Sequence, residues 1–468
     1  MTQFGKALAP TKTPIPGLVV WELPVHGDSR GWFKENWQRE KMVAAGLPDF
    51  GPVQNNISFN DAVGTTRGIH AEPWDKFVSV ATGRIFGAWV DLREGPTFGA
   101  VFTTEIDPSR AIFVPRGVGN AYQTLEPDTA YVYLVNDHWS PQASYTFLNL
   151  ADETAAIEWP IPLSDVEISE KDLAHPRLDA VTPVPPRRTL VIGASGQLGR
   201  ALRAELGDAA HIEYATRADL DLAAPDVAAQ RRWRDYRVII NAAAHTAVDA
   251  AETADGRREA WAVNVGGVST LARIAAENDI TLVHVSSDYV FDGSLDRPYT
   301  EADPLCPLGV YGQSKAAGDA IVSTVPRHYI VRTSWVIGDG KNFVRTMASL
   351  AERGVDPSVV DDQFGRPTFT VDIARAIRHL VDSGADYGVY NVTGAGEPTA
   401  WADVARAVFS ALGHDEARVS GVSTADYFAS ATGPIAPRPV NSVLALDRIT
   451  GAGYEPAPWR ERLRDYLR

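Results

Sequence analysis

Two groups of residues in this sequence have the types and spacing that carbonyl chemistry needs. In VYGQSK, Tyr311 and Lys315 stand four residues apart, on one face of a helix. A lysine beside a tyrosine stabilises the phenolate and lowers its pKa, which makes the phenol a usable proton donor to a carbonyl. Upstream, VSSDYVFDG carries Ser286 and Ser287, whose hydroxyls can hydrogen-bond the same carbonyl. Further upstream, GASGQLG (Gly193 to Gly199) follows the apolar run TLVI and opens a helical stretch. Glycines in that context permit a tight turn and let the backbone approach a pyrophosphate at the helix N-terminus. A glycine turn alone also serves as a plain connector, and YxxxK alone as a surface pair. The specific signal is the three in this order.

The next apolar run ends at Ala215-Thr216-Arg217, where an acid would hold a ribose 2′-hydroxyl. A threonine and an arginine suit a 2′-phosphate instead, which favours NADPH. Glu213, two residues earlier, keeps NADH open.

The N-terminal part offers His70, with Arg67 before it and Lys76 after it, in TRGIHAEPWDKF. A histidine near neutral pKa can remove a proton alpha to a carbonyl, and an adjacent cation can stabilise the enolate. The competing reading is a satisfied core histidine. A metal-binding β-barrel needs two closely spaced histidines, a carboxylate and a third histidine. Here the first segment has only His70, and VPRGVGNAYQTL has Asn120, so no metal is expected.

The elements that must hold these residues differ between the two parts. From Leu18 to Trp139 short β-rich runs (LVVWELPV, FVSVATGRIFGAWVDLR, AVFTTEI, AIFVPRG, AYVYLVNDHW) alternate with turn residues and show no helical period. That spacing predicts an antiparallel sandwich or barrel. Residues 173–187 are proline-rich without apolar period and read as a linker between domains 1–172 and 188–468. Beyond it, TLVIGAS, HIEYAT, RVIINAAA, TLVHVSS and HYIVRTSW are apolar strands separated by helical stretches such as GRALRAELG and REAWAVNVGGVSTLARIAAEN. Alternation of this kind predicts a doubly wound parallel sheet.

At 468 residues, with 45% hydrophobic and 22% charged residues, the chain is long enough for two globular domains. A formal charge of −15 argues against nucleic acid or an anionic membrane as partner. Cys306 is a lone cysteine, which excludes an internal disulfide framework, fits a reducing cytoplasm and reads as a packed thiol. The N-terminus lacks the apolar core of a secretory signal, and no run of about 20 apolar residues predicts a membrane span.

Through NAAAHTAVDAAE, HVSSDYVFDG, VYGQSKAAGD, RTSWVIG, DDQFGRPTFT and RPVNS, residues 187–468 resemble the dTDP-4-dehydrorhamnose reductases, a family of extended short-chain dehydrogenase/reductases of Rossmann fold. The resemblance implies Tyr311 as proton donor, Lys315 as its partner and Ser287 as the carbonyl-orienting hydroxyl. It implies cofactor contacts at Gly193, Ser195, Gly196, Gln197, Leu198, Gly199, Arg217, Asp221, Leu222, Ala242, Ala243 and Lys315, with Asn264 as framework. Thr246, Val248 and Trp335 match substrate-lining positions in a small C-terminal subdomain. Arg438 matches a diphosphate contact, with a structural salt bridge as the alternative. Mg2+ accompanies some reductases of this family, but no compact carboxylate cluster supports it here.

Through GDSRGWFKENW, VQNNIS, TRGIH, VDLREGPTFG, VPRGVGNAYQTL and IEWPIPLSDVEISEKD, most of residues 15–175 resembles the dTDP-4-dehydrorhamnose 3,5-epimerases, metal-free cupin or jelly-roll barrels. Carried over, His70 is the base, Asp172 orients it, Lys76 stabilises the enolate and Tyr133 reprotonates from the opposite face. Arg30 and Arg67 would hold the diphosphate with Gln54 and Asn56 nearby, and Phe33 and Trp139 would pack on the sugar or base. Three departures stand out: a shortened loop between His70 and Lys76, Asn120 in place of a histidine, and Gly87 in place of an aspartate. They bear on whether carbon 3, carbon 5 or both are epimerised.

The two resemblances imply consecutive reactions: epimerisation of dTDP-4-dehydro-6-deoxy-D-glucose, then NADPH-dependent reduction to dTDP-L-rhamnose. Another dTDP-6-deoxy-L-hexose as product, or a β-rich half that merely binds the nucleotide sugar, are the alternatives. Both families imply dimers, so a homodimer or a higher homo-oligomer is expected.

Overall fold

Alternation along the strand FVSVAT shows how the N-terminal part builds its core. In strand Lys76–Thr82, Val78 and Val80 point into one apolar cluster with Trp89, Ile112 and Tyr131. Phe77 points the other way, to Trp21, Phe50 and Phe113. A strand with apolar side chains on both faces is buried on both, and Lys76–Thr82 is central to its sheet. The computed structural model describes residues 5–468, and the chain divides into two units, Met1–Pro186 and Arg187–Arg468.

The first unit contains two antiparallel sheets. One has six strands in the order Ala9–Lys12, Val19–Glu22, Arg110–Val114, Lys76–Thr82, Thr129–Val135, Gln54–Asn60. The other has five, in the order Thr146–Phe147, Thr66–Ala71, Val118–Thr124, Ile85–Asp91, Val101–Ile106. The expected all-β texture is therefore present. His70 pairs across the second sheet with Asn120 and Phe147, and Tyr133 pairs across the first with Asn56.

Residues 173–187 do not form a free tether for most of their length. Leu178 and Val181 are buried in the core of the first unit, and Val184 bridges to Arg93. Apolar residues three apart among the prolines supply the anchoring.

The second unit is a six-stranded parallel sheet ordered Ile212–Ala215, Arg188–Ile192, Tyr236–Asn241, Thr281–Ser287, His328–Thr333, Gly388–Asn391. Successive residues serve opposite faces: Leu190, Ile239, Leu282 and Ile330 enter one core, and Val191, Ile240, Val283 and Val331 the other. Helices cover both faces. A third core, with Met347, Val408, Phe409 and Trp459, joins the helices Phe343–Glu352, Trp401–Ala411 and Trp459–Leu467.

The stretch expected to be one long helix after Arg258 is interrupted. Helix Ala254–Trp261 passes through a π-helical segment, Ala262–Gly267, into helix Val268–Glu277. Cys306, expected to be packed, is exposed. No helix among the described residues is long and apolar enough to cross a membrane.

The strand order reverses between Arg188–Ile192 and Tyr236–Asn241, and GASGQLG begins at that point. Gly193 has φ +83°, and a Cβ there would lie 2.8 Å from the Ala243 nitrogen. A Cβ on Gly199 would lie 2.2 Å from the Gly193 carbonyl oxygen, so helix Gln197–Leu206 can pack on the turn only without a side chain there. Gly199→Ala is expected to destabilise the second unit by about 1–3 kcal/mol through backbone overpacking, measured as an earlier urea transition of that unit in the full chain.

Candidate active sites

Each unit contains a cavity, and each cavity collects residues distant in sequence. In the first unit, a space of about 150 Å³ is lined by Arg67, His70, Glu72, Lys76, Asn120 and Tyr133, together with Ser58, Tyr122 and Tyr131. His70 lies on strand Thr66–Ala71. Asp172 lies on the one-turn helix Glu170–Leu173, whose N-cap Ser169 accepts the Asp172 amide. The His70 Nε2 stands 2.9 Å from Asp172 Oδ1, while Asp172 Oδ2 accepts the Gly68 amide at 3.3 Å. Burial pushes the Asp172 carboxyl up, but the hydrogen bond and charge of His70 and the Gly68 amide outweigh it and hold it below its ordinary value. A carboxylate in this position accepts Nε2–H and leaves Nδ1 as the basic nitrogen.

Lys76 is ion-paired with Glu72, and its ammonium lies 5.9 Å from the centre of the Tyr133 ring. Burial, then the charge of Glu72, raises the Tyr133 phenol above its ordinary value, so it stays protonated at neutral pH. Asn120 is buried: its Oδ1 accepts the Trp89 indole N–H at 2.9 Å, and its Nδ2 donates to the Tyr131 hydroxyl at 3.0 Å. A Cβ at Gly87 would lie 2.2 Å from the Trp89 ring. Gly87 therefore admits the indole that holds Asn120, and the two departures seen in the sequence are one coupled arrangement.

Arg67 lines the cavity and donates to Asn60 Oδ1 at 3.3 Å. Other sequence candidates are not brought to it. Arg30 is exposed at a hairpin tip, tied to Asp28 by bonds of 2.5–3.3 Å. Phe33 and Trp139 are exposed surface residues. Gln54 and Asn56 bond each other at 2.8 Å on the strand beside Tyr133, outside the cavity lining. Two residues beside this cluster went unrecognised in the sequence. Glu72 sits between His70 and Lys76 in the motif itself. His175 is buried in the stretch read as linker, and its Nε2 lies 3.7 Å from Asp172 Oδ1. The D-x-x-H spacing of Asp172 and His175 was the available signal.

In the second unit, a cavity of about 850 Å³ opens at the sheet's switch point. Its lining includes Gly193, Ser195, Gly196, Gln197, Leu198, Arg217, Asp221, Leu222, Ala242, Ala243, Thr246, Val248, Ser287, Tyr311, Lys315 and Trp335. Gly199 supports the turn from below. Arg217 is exposed at the rim and paired with Asp221 at 3.2 Å. Glu213 is not in the lining; Arg231 Nε (3.0 Å) and the Tyr236 hydroxyl (2.5 Å) hold it elsewhere.

Tyr311 and Lys315 lie on helix Val310–Val322, whose first amide is capped by Glu252 Oε1 at 2.8 Å. Asn264, in the π-helical segment, bonds the Ser314 hydroxyl at 2.9 Å and both backbone groups of His245, tying this helix to the loop that carries Thr246. The expected lowering of the Tyr311 pKa is not found. Burial pushes the phenol up to about 12, and Ser287 as hydrogen-bond partner opposes this only in part. Lys315 donates to the Val285 carbonyl at 2.7 Å and lies 3.3 Å from His284 Nε2. Burial lowers its pKa to about 8, against the charge of Asp319. The lysine's own desolvation therefore dominates its environment.

Arg438 forms a two-pronged ion pair with Asp249 at 2.8 and 2.9 Å and is absent from the cavity lining. Trp335 is held with φ +47° and stacks on Trp401 at 3.8 Å. Among the described residues, the one group of three potential metal-binding side chains is His70, Asp172 and His175. The buried Asp319–Arg332 pair, 3.0 Å long, supports Lys315 from behind. Asp319→Ala would leave Arg332 buried without its counter-ion, and a loss of about 3–5 kcal/mol is expected in urea unfolding of the second unit.

Residues 187–468 match the family model described as RmlD substrate binding domain, and residues 12–180 the one described as dTDP-4-dehydrorhamnose 3,5-epimerase. A protein RmlC homolog of Streptococcus pyogenes serotype M6 is 50% identical over 194 residues, covering 40% of this chain and 98% of that protein. A dTDP-4-dehydrorhamnose reductase of Aggregatibacter actinomycetemcomitans is 39% identical over 303 residues, covering 59% of this chain and 97% of that protein. The solved dTDP-4-dehydrorhamnose reductase of Bacillus anthracis strain Ames, in complex with NADP, is 31% identical with a TM-score of 0.54, covering 60% of this chain and 98% of that one.

Proposed function

The chain belongs to the RmlD substrate-binding-domain family through residues 187–468 and carries a dTDP-4-dehydrorhamnose 3,5-epimerase domain in residues 12–180, and we propose a division of two reaction steps between the two cavities. The protein is a bifunctional enzyme of dTDP-rhamnose formation, an isomerase joined to an oxidoreductase. The observation that carries the division is that one cavity holds an oriented base with a protonated phenol, and the other a buried Ser–Tyr–Lys set. Enolisation needs the first, and carbonyl reduction the second.

In the first unit, read as a cupin-type barrel, His70 Nδ1 removes a proton alpha to the 4-keto group of dTDP-4-dehydro-6-deoxy-D-glucose. Asp172 accepts Nε2–H and fixes that tautomer. The ammonium of Lys76 stabilises the enolate oxygen. Tyr133 returns a proton from the opposite face and inverts the carbon. Arg67 is the cation available to the diphosphate at this cavity.

In the second unit, read as a Rossmann-type domain with its substrate-binding subdomain around Trp335, the glycine turn fits a dinucleotide. Gly193 and Gly199 leave no room for side chains, and the helix N-terminus at Gly196 faces the pyrophosphate position. Arg217 at the rim, with Glu213 engaged elsewhere, favours NADPH over NADH. When bound, NADPH supplies the hydride for carbon 4. Ser287 orients the carbonyl, Tyr311 gives the proton, and the ammonium of Lys315 keeps the phenol's charge change affordable in a dry site. The raised pKa of Tyr311 keeps its proton in place until a stronger base, the nascent alkoxide, forms.

A nucleotide-sugar and nicotinamide chemistry fits the cytoplasm. The exposed Ile57 and Phe59 on edge strand Gln54–Asn60 support a reading in which chains pair through that strand.

Tyr311→Phe is expected to abolish NADPH oxidation while solvent deuterium still enters the 4-keto sugar. His70→Ala is expected to do the converse, leaving reduction of pre-epimerised substrate intact. Loss of both activities in one folded variant would overturn the division. Lys315 loses its proton as pH rises through about 8, so kcat/KM for reduction of pre-epimerised substrate should fall above that pH. A flat profile from pH 7 to about 9.5 would contradict a catalytic ammonium.

A further inference from the structure

His175 is buried, and the protein offers its ring no side-chain hydrogen-bond partner, only the Leu148 backbone. Its ring stacks on Phe147 at 4.7 Å and meets the His70 ring edge-on at 5.4 Å. A buried imidazole with a nitrogen left unsatisfied is costly, and such groups commonly mark a place for a water or an ion. Its Nε2 is directed toward Asp172 Oδ1, 3.7 Å away, and His70 Nε2 lies 2.9 Å from the same oxygen. All three potential ligand atoms fall within 4.8 Å of one another.

We propose that His70, Asp172 and His175 form a site for a divalent transition-metal ion of the Zn2+ type, and that filling it switches off the epimerase. Two imidazoles and a carboxylate are a common Zn2+ ligand set, leaving a fourth position for water. Tetrahedral ligands about 2.0–2.1 Å from a metal stand about 3.3 Å apart. The 2.9 and 3.7 Å separations bracket that value, and the third ligand pair already lies within 4.8 Å.

The consequence follows from which nitrogen the metal takes. Without metal, Asp172 accepts Nε2–H and Nδ1 is free to act as base. A metal on Nε2 displaces that proton, and the imidazole carries its single proton on Nδ1 instead. One proton leaves Nε2 and one is gained at Nδ1, so the ring stays neutral but presents a donor to the sugar. Asp172 meanwhile becomes a metal ligand and no longer orients the base. The second unit has no part in this, so an excess of free Zn2+ would stop epimerisation and spare reduction.

Metal binding stands apart from the functional assignment, whereas the switch rests on His70 as the base. Full-length protein freed of metal with EDTA is therefore dialysed against Co2+ and then Zn2+. The expected result is one equivalent of Co2+ per chain with the visible absorption of a four-coordinate site, displaced by Zn2+. The Zn2+ concentration that fills the site should halt solvent-deuterium incorporation into the 4-keto sugar and leave NADPH oxidation with pre-epimerised substrate unchanged, and EDTA should restore exchange. In His175→Gln, or His175→Phe if the first is unstable, metal-free exchange should persist and the Zn2+ needed should rise at least about tenfold. No Co2+ uptake by the parent chain, or equal Zn2+ affinity without His175, would overturn the site. Stoichiometric binding that leaves deuterium exchange untouched would overturn the switch and, with it, the reading of His70 as the base.

Discussion

An ionic group taken out of water has to be compensated inside the protein, and both cavities are organised by that constraint. In the second unit the compensation is a row. The ammonium of Lys315 bonds a strand carbonyl, Asp319 lies one helical turn further along, and Arg332 closes the row from the neighbouring strand. His284, beside Lys315, is held well below its ordinary pKa by burial and then by the ammonium, so it adds no second charge. The row works only if helix Val310–Val322 lies hard against the sheet. Gly312 and Gly318 let it seat between its other neighbours, since a Cβ would stand 2.2 Å from the Tyr289 oxygen, in the turn after strand Thr281–Ser287, at one and 2.8 Å from the Asn264 oxygen, in the π-helical segment, at the other. In the first unit the scale is smaller: Asp172 draws on one imidazole and one amide.

Much of this was legible because the decisive residues carry local signatures. The parallel sheet could be read from apolar runs flanked by helical stretches, and the glycine turn, Ser287, Tyr311 and Lys315 from their order. Strand Gln54–Asn60 was not readable as a strand, since QNNISFN is polar and lies at a sheet edge with little to bury. The π-helical segment at Asn264 was hidden for a different reason: its sequence has ordinary helical period, and the bonds Asn264 makes there go to Ser314 and His245, far away in sequence or in another loop. Arg30, Phe33 and Trp139 were carried over by motif, but motif position fixes the backbone and not what a surface side chain meets. The sign of the Tyr311 shift was misread because spacing says nothing about how much water is lost.

Gly87 and Asn120 illustrate why substitutions are better read in pairs. Taken singly, a glycine mid-strand removes packing, and an asparagine removes an ionisable group. Together with Trp89 they form a neutral, fully bonded layer beneath the cavity: indole to amide, amide to the Tyr131 hydroxyl, and Tyr131 stacked on Tyr122 at 4.2 Å. Tyr131 is raised far above its ordinary pKa by burial and then by Tyr122. The Trp89 indole and the Asn120 amide carry no titratable group and the Tyr131 phenol is pushed away from neutrality, which leaves proton transfer in the proposed reaction to His70 and Tyr133.

The one-turn helix bearing Asp172 lies near the end of the first unit, and the chain after it anchors back through Leu178 and Val181. Synthesis runs from the N-terminus, and domains generally fold as units while it proceeds. On the ribosome, His70 therefore waits through most of its unit's translation before its carboxylate emerges. All residues of the dyad are translated before the first strand of the second unit, Arg188–Ile192. A nascent chain would acquire its two activities in the order in which the sugar needs them.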